Sequence, residues 1–581
     1  MPYQRCIDPD VILPIAKADT RVNKTGNWDR RRPFYENKVP PCRAVCPIGN
    51  NIPRALYLAQ KGDFDGALAV FLQENPLPGV SGRICYQFCQ TQCNRRELDN
   101  AVNIRALERS AADRGTAKPS ILTNAGRSQP VAVVGSGPAG LSAAYHLARM
   151  GHPVTLIEAE NELGGMLRWG IPEFRLPKNA LDRDLDRILS LEINVLTNTP
   201  LNAFVLEKIR TEHLAVLLAV GAHKSRRLPI AGIEYDRVLM GLDFLKMVRR
   251  QKVSRLPGDV LVIGGGNVSI DVAMSALRLG AERVAIYCLE QPHEMAAHER
   301  ELQDALEEGI VIHHGWGPRK IRNRKEGGLE VEFVSCTSVF EENGRFNPSY
   351  DENTTLQPKA DWVVFAIGQA VDTSFLEGYI PFDVGSDGAL ASDPESLMTS
   401  EIGVFAAGDV TQIPGSVAEA IAAGKRAAVG IHHFINGGRL GRTIAEATLA
   451  AGPFFSIEAA FRRPAGWNFG ETIGFADLEP LYLDHRPAIK LPRLNPSARI
   501  KNLSEINQAL SFNETIHEAG RCFFCGFCTE CDRCFLFCPE ICLLPPQGQG
   551  ANYKVDNDYC KGCALCAAAC PRGVLAMSAG I

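Results

Sequence analysis

The stretch VAVVGSGPAG, residues 131–140, decides the fold. It reads as an apolar strand, a glycine turn and a helix start. Gly135, Gly137 and Gly140 form G-x-G-x-x-G, with Pro138 and Ala139 between the last two. The first glycine permits the tight turn, the second lets backbone approach a pyrophosphate, and the third lets helix and strand pack closely. The helix N-terminus then offers free N–H groups and a positive dipole end to phosphates. The next strand, PVTLIEAE, ends on Glu158, eighteen residues after Gly140. A carboxylate there accepts hydrogen bonds from ribose hydroxyls. A bare tight turn would need neither the strand nor the carboxylate.

Outward from this unit, residues 129 to about 440 alternate Val/Ile/Leu runs with amphipathic helices, the pattern of parallel α/β units. A second strand–glycine–helix unit is DVLVIGGGNVSIDVA, 259–273. It carries Gly264, Gly265, Gly266, Asn267 and Val268, with Ser269 where the last glycine would stand. A third element, EIGVFAAGDV (401–410), ends in Gly408-Asp409 and precedes a further helix. An aspartate at such a strand end can hold the ribityl chain of FAD. Nesting one nucleotide unit within another points to a flavin beside a nicotinamide. The expected fold is α/β with two nested Rossmann-type nucleotide-binding domains, for FAD and NAD. The strand RVAIYCLEQ (283–291) ends in Cys288, Leu289 and Glu290, with no basic residue. A 2′-phosphate calls for Arg or Lys there, whereas a free 2′-hydroxyl prefers a carboxylate. Glu290 therefore favours NAD(H) over NADP(H), unless a distant Arg binds the phosphate.

The chain has 581 residues, 45% hydrophobic and 22% charged, with a formal net charge of −4. No field of either sign argues for nucleic acid or an anionic membrane. No apolar run approaches the roughly 20 residues of a membrane span, and MPYQRCIDPD lacks the pattern of a secretory signal. A cytoplasmic protein is expected. The 19 cysteines are distributed unevenly: six between Cys6 and Cys93, then Cys288 and Cys336, then eleven between Cys522 and Cys570. Clusters of this kind in a reducing compartment are metal ligands more often than disulfides. The interval from Cys93 to Cys288 holds no cysteine, so a C-x4-C redox disulfide beside the flavin is absent.

Cys528-x2-Cys531-x2-Cys534-x3-Cys538-Pro539 and Cys560-x2-Cys563-x2-Cys566-x3-Cys570-Pro571 each match the bacterial ferredoxin run. In such pairs the fourth cysteine of each run ligates the other cluster. One [4Fe–4S] set is then Cys528, Cys531, Cys534 and Cys570, and the other Cys560, Cys563, Cys566 and Cys538. A zinc ribbon would use C-x2-C pairs without C-x3-C-P. Cys522, Cys525 and Cys542 are extra. They are either spare thiols or, for Cys522 and Cys525, competitors for the first cluster.

Upstream stand Cys42-x3-Cys46-Pro47 and Cys85-x3-Cys89-x3-Cys93. With NNIPRALYLAQKGDFDGALAVFLQENPLPGVSGRIC and AVNIRALER, they resemble the N-terminal iron–sulfur domain of the glutamate synthase small subunit. Dihydropyrimidine dehydrogenase and ferredoxin:NADP transhydrogenase look similar. The resemblance runs on through GGMLRWGIPEFRLPK (164–178), GGGNVSID and GVFAAGDV, about 400 residues in all. It implies a flavin-proximal cluster on Cys46, Cys85, Cys89 and Glu108, and a second cluster using Cys42 and Cys93. It also adds Gly165, Met166 and Gly221 to the flavin set. The family's upstream C-x2-C pair is missing here, with only Cys6 further upstream. The Cys85–Cys89 interval is two residues shorter than in the family. NADPH-binding members carry an Arg pair where this chain has Cys288-Leu289.

The expected domains are a helical iron–sulfur domain (1–125), an FAD-binding domain in two parts (126–240 and 373–440) around an NAD(P)H-binding domain (241–372), an extended connector (441–515), and an α+β 2[4Fe–4S] ferredoxin domain (516–581). The tail RCFFCGFCTECDRCFLFCPE narrows the resemblance to the iron–sulfur flavoprotein that works with dissimilatory sulfite reductase. NAD(P)-reacting subunits of 2-oxoacid:ferredoxin oxidoreductases look similar. The implied enzyme is an NADH:acceptor oxidoreductase with FAD and three or four clusters, about 12–16 iron atoms. It needs no catalytic side chain. Its electrons pass to or from a partner redox enzyme or soluble ferredoxin. The rival reading is a docking and electron-wiring subunit with little turnover alone, and a homodimer fits either.

Overall fold

The computed structural model describes residues 24–122, 129–376, 382–385, 388–411, 415–462, 467–545 and 553–578. Val131–Val134 is the central strand of a five-stranded parallel sheet. Val154–Ile157 and Ala215–Leu218 flank it, and Asn194–Leu196 and Val404–Ala406 form the edges. The edge strand 404–406 returns to this sheet after the second unit has been built. That unit is a separate five-stranded parallel sheet centred on Gly258–Ile263. Ala281–Cys288 and Trp362–Phe365 are its immediate neighbours. Both central strands are buried on both faces, which explains their unbroken apolar runs. The nested Rossmann-type α/β expectation therefore matches the topology.

The helix after the first glycine turn, Pro138–Arg149, packs along the long helix Val417–Asn436. Gly424 makes the crossing close: a Cβ there would stand 2.0 Å from the Ala139 carbonyl oxygen. Ser142 Oγ bonds across the crossing to the Ile421 carbonyl at 2.7 Å. The N-terminal unit, with helices Ile52–Ala59, Phe64–Leu72, Pro78–Ile84 and Ile104–Arg114, packs against this pair, and the Tyr145 hydroxyl donates to the Leu72 carbonyl at 2.6 Å. Lys425 ties the units together. Its ammonium, 1% exposed, donates to Glu74 Oε2 at 2.9 Å and to the Ile48 and Phe455 carbonyls.

Two stretches differ from expectation. Residues 33–39 lie in the stretch expected to be helical, yet form strands Pro33–Tyr35 and Asn37–Val39. The first pairs antiparallel with Leu575–Met577 and the second parallel with Trp467–Thr472. Three-residue strands show no period, and their partners lie far along the chain. The connector is not merely extended. It contains helices Leu440–Ala447 and Ile457–Arg462, and Phe512–Ala519 starts on a Ser511–Glu514 capping box. Phe455 packs inward, 3% exposed. Among the described residues no helix is long and apolar enough to cross a membrane.

Histidines under the long helix make the fold sensitive to acid. His152 Nε2 and His432 Nδ1 stand 3.0 Å apart, and His146 is fully buried. Burial, then the neighbouring His152 and His433, lowers His432 from 6.5 to about 4. Burial also lowers His152 and His146. Above the ordinary histidine pKa both folded and unfolded chains hold these rings neutral. Between pH 6.5 and about 4 the unfolded chain takes up protons that the folded chain resists, so stability falls as pH falls. The midpoint of thermal unfolding should drop across this window, and His432→Asn should flatten the drop. An identical slope in the variant would exclude His432 as a contributor.

Candidate cofactor and iron–sulfur sites

A cleft of about 350 Å³ opens at the C-terminal ends of the first sheet. Gly135, Gly137, Pro138, Ala139, Glu158, Gly165, Met166, Gly221, Gly408 and Asp409 all line it. Each glycine of the first turn has a distinct task. Gly135 has φ +100°, and a Cβ there would sit 2.3 Å from the Ala219 carbonyl oxygen. A Cβ on Gly140 would lie 1.8 Å from the Gly135 carbonyl oxygen, so this glycine, outside the cleft lining, serves helix–strand packing. A Cβ on Gly137 would meet nothing within 4 Å. Open space at that one backbone position fits a pyrophosphate.

The Glu158 carboxylate is oriented by the turn itself. Its Oε2 accepts from the Ser136 amide at 2.9 Å and from the Ser136 hydroxyl, and its Oε1 accepts from the Glu160 amide at 2.9 Å. The Ser136 hydroxyl also accepts from the Gly164 amide, which joins segment 164–178 to the turn. Across the cleft, Asp409 is pushed up to about 6 by burial and by Glu419. The N-terminus of the long helix, capped by Ser416, lines the same cleft. These groups suit an FAD: phosphate at the Gly137 backbone, ribose at Glu158, and the remainder toward Asp409. Trp169, His223 and Lys246 also line the cleft, although sequence reasoning missed them. Only His223, two residues past Gly221, had a local signal.

At the second turn, Gly264 has φ +137° and Gly266, like Gly137, faces open space. Glu290 reaches over the turn, so that a Cβ on Gly265 would stand 2.4 Å from its Oε2. This places a carboxylate at the end of the strand, beside the glycine turn, as a ribose site requires. Ser269 replaces the last glycine without loss of packing, since it is fully buried and its hydroxyl donates to the Gly266 carbonyl. Asn267 is engaged with protein, donating to the Tyr86 hydroxyl and accepting from the His298 amide at 2.7 Å. Val268 is half-buried against the core of this unit. Cys288, buried at the strand end, has its sulfur 3.5 Å from His314 Nδ1.

The cysteines fall into groups. Cys46, Cys85, Cys89 and Glu108 are close enough for each to sense the others' charge. Burial pushes the Glu108 carboxyl up to about 7, even though Ser81, Asn75 and Asn50 all donate to its Oε1. In the tail, Cys528, Cys531 and Cys534 lie with Cys570. Cys538 lies instead with Cys560, Cys563 and Cys566. The extra Cys542 joins the second set, its sulfur 3.3 Å from that of Cys538. Loop backbone is shared by both sets: Glu530 and Asp532 in the first, Gly562 and Ala564 in the second, all have φ between 55° and 66°. Tyr35 adds a hydroxyl 3.0 Å from Cys534 Sγ. Burial raises the thiols of Cys46, Cys85 and Cys89, which would stay protonated without a cationic partner. Among the described residues no three such side chains close around a single metal ion. An iron–sulfur cube holds its thiolates further apart. Cys42 and Cys93 line a separate cavity with Cys522 and Cys525, away from the first ferredoxin set. Cys336 is buried in a strand, and Cys6 lies outside the described residues.

Comparison with known proteins accords with this geometry. Residues 129–424, just over half of the chain, match the pyridine nucleotide-disulphide oxidoreductase family. Residues 32–119 match dihydropyrimidine dehydrogenase domain II with its 4Fe-4S cluster, and 553–576 match a 4Fe-4S binding domain. The beta subunit of NADP(+)-dependent formate dehydrogenase from Moorella thermoacetica is 32% identical over 85% of this chain and 71% of its own length. The NADPH-Fe(3+) oxidoreductase beta subunit of Geobacter sulfurreducens is also 32% identical, over 72% of this chain and 67% of its own. The PreT subunit of Escherichia coli NAD-dependent dihydropyrimidine dehydrogenase is 30% identical over 68% and 91%. With its two nested nucleotide units between cysteine-rich ends, the chain belongs to the pyridine nucleotide-disulphide oxidoreductase family, as an FAD- and iron–sulfur-dependent NAD(P)H oxidoreductase.

Proposed function

We propose that the chain is an NADH:acceptor oxidoreductase that exchanges electrons with a partner redox enzyme. The carrying observation is the series of ligand groups that starts with Cys46, Cys85, Cys89 and Glu108 and ends in the two ferredoxin sets. When bound, a flavin links two-electron hydride chemistry to the one-electron chemistry of clusters. The chain's own residues bind and orient. Gly137 and the helix behind it would receive phosphate, Glu158 and, at the second turn, Glu290 would hold the two riboses, and Trp169 and Leu167 give the first cleft apolar walls. The proposed ligands are Cys46, Cys85, Cys89 and Glu108; Cys528, Cys531, Cys534 and Cys570; and Cys560, Cys563, Cys566 and Cys538.

A partner is favoured by the ferredoxin module's surface. Leu536, Ile541 and Leu565 are at least half exposed there, and Cys531 and Cys563 are exposed as well. Three relatives are named as subunits. By its tail motif the chain is proposed to serve dissimilatory sulfite reductase. The second reading is a 2-oxoacid:ferredoxin oxidoreductase or a soluble ferredoxin, favoured by the same exposed module. Mixing the NADH-reduced protein with each acceptor decides between them: only the true partner should reoxidise it rapidly.

NADH is proposed over NADPH because the relatives' names divide between the two nucleotides, leaving the strand end of this chain to decide. Anaerobic titration with each nucleotide should bleach the flavin with NADH first. Glu290→Gln removes a charged acceptor worth roughly 1.5–3 kcal/mol, so the NADH/NADPH ratio of kcat/KM should fall by about 10–100-fold. Equal use of NADPH by the unaltered protein would overturn the assignment.

A further inference from the structure

Four cysteines that no pattern in the sequence joins line one cavity between the N-terminal helices and residues 522–525: Cys42, Cys93, Cys522 and Cys525. The rest of its wall is mainly apolar, with Leu56, Val102 and Ile104. Cys42 and Cys525 are 8% and 9% exposed. No acid or histidine lines the cavity, so its donor set is four thiols.

The backbone of the 522–526 loop carries a second, independent signal. In both ferredoxin loops, left-handed backbone recurs two and four residues after the first cysteine: Glu530 and Asp532 after Cys528, Gly562 and Ala564 after Cys560. After Cys522 the same two positions are Phe524 at φ +54° and Gly526 at φ +67°. Phenylalanine rarely adopts this conformation, and a loop keeps it only where the surroundings require it. Here it aims amides at sulfur: the Phe524 N–H donates to Cys522 Sγ at 3.4 Å. Asn94 Nδ2 donates to Cys525 Sγ at 3.5 Å from the other side of the cavity. Hydrogen bonds of this kind surround cluster sulfurs.

The loop's location completes the case. Gly526, next to Cys525, accepts from the Lys38 amide at 3.0 Å, just upstream of Cys42. Residues 522–525 thus bring a C-x2-C pair beside the segment that carries Cys42. The run Cys522-x2-Cys525-x2-Cys528 divides after Cys525, since Cys528 lies with Cys534 and Cys570.

We propose that Cys42, Cys93, Cys522 and Cys525 hold a further [4Fe–4S] cluster, ligated jointly by the N-terminal domain and the segment leading into the ferredoxin module. Ligation replaces four thiol protons with iron–sulfur bonds. The ferredoxin-like loop favours a cluster over zinc. Cys89, of the flavin-proximal group, is within charge range of Cys42 and Cys93. Helix Pro41–Ala44 packs on Phe88–Thr91, and Cys525 is three residues from Cys528, so the site adjoins the flavin-proximal group and is joined in sequence to the first ferredoxin set. Its role as a relay rests on the electron-transfer reading above, whereas its ligand set does not.

Iron analysis and electron paramagnetic resonance on the full, anaerobically reconstituted chain test the site. The unaltered protein should hold about 16 iron atoms, and the Cys522→Ser/Cys525→Ser variant about 12, with flavin content unchanged. Adding Cys528→Ser should remove about four more, because the two sites are independent. About 12 iron atoms in the unaltered protein, or about 16 in the double variant, overturns the proposal. If the double variant does not fold, Cys525→Ser alone keeps an oxygen ligand. It should then shift one cluster's resonance signal, and an unchanged spectrum overturns the assignment. Stopped-flow reduction by NADH separates site from relay. In the double variant the flavin and the flavin-proximal cluster should still be reduced at the unaltered rate, with reduction of the ferredoxin clusters at least tenfold slower. Loss of iron without that slowing would leave the site standing and refute its place in the relay.

Discussion

Gly137→Val should give a folded chain without flavin, whereas Gly140→Val should not fold. The two glycines stand three residues apart in one motif, and their surroundings differ completely. Gly137 has φ −67° and ψ 179°, a conformation any residue adopts, and a Cβ there meets nothing. A valine is tolerated by the fold but occupies the path of the pyrophosphate. Losing two charge-assisted hydrogen bonds at roughly 1.5–3 kcal/mol each weakens flavin binding by at least about 100-fold. At Gly140 a Cβ would be driven into the Gly135 carbonyl, 1.8 Å away, and neither strand nor helix can yield without breaking the sheet's packing. Flavin absorbance after anaerobic purification and the far-ultraviolet circular dichroism melt measure both outcomes. A Gly137→Val protein that retains its flavin would refute the placement of the phosphate.

Lys425→Met should destabilise the junction between the N-terminal domain and the first nucleotide unit by about 3–5 kcal/mol. The loss arises because Glu74, 1% exposed, is left with only Arg43, 3.9 Å away and itself buried, to offset its charge. Its other partners, the Ser456 hydroxyl and the Ile457 amide, cannot neutralise it. Since Lys425 also holds the Ile48 carbonyl, two residues past Cys46, the variant should lose iron from the flavin-proximal site on mild warming. Adding Glu74→Gln should recover much of the stability, as expected when a poorly offset buried charge is the cause. Chemical denaturation followed through the flavin reads both changes. Equal instability in the single and double variants would point to lost packing instead.

Features set by short spacings were legible in the sequence. The glycine turns, the carboxylates Glu158 and Glu290, and the two C-x2-C-x2-C-x3-C-P runs each depend on a few consecutive residues. Their physical cause is local: a tight turn, a strand end, a loop wrapping a cube. Hidden features depended on distant pairing. Cys522 and Cys525 read as spare thiols or as competitors for the first ferredoxin cluster because their neighbours Cys42 and Cys93 lie more than 400 residues earlier. Strands 33–35 and 37–39 were invisible for the same reason. Lys246 lines the flavin cleft from an ordinary amphipathic helix, and nothing in its neighbours distinguishes it. Asn267 was read as a cofactor residue from its place in the motif, whereas its side chain bonds to Tyr86 of the N-terminal domain.

The pairing of Pro33–Tyr35 with Leu575–Met577 bears on how the protein is made. Arg32 and Ser578, 546 residues apart, close this two-stranded sheet. During synthesis the early strand emerges first and waits for a partner translated more than 500 residues later. At a ribosomal rate of roughly 5–20 residues per second, that wait lasts about half a minute to two minutes. Throughout it, residues 33–35 present an unpaired edge open to other chains. The ferredoxin module acquires this edge and Tyr35 only from a segment already folded elsewhere. Maturation of the ferredoxin sites is thereby made to follow synthesis of residues 575–577, so a chain terminated before them lacks the pairing that closes this module.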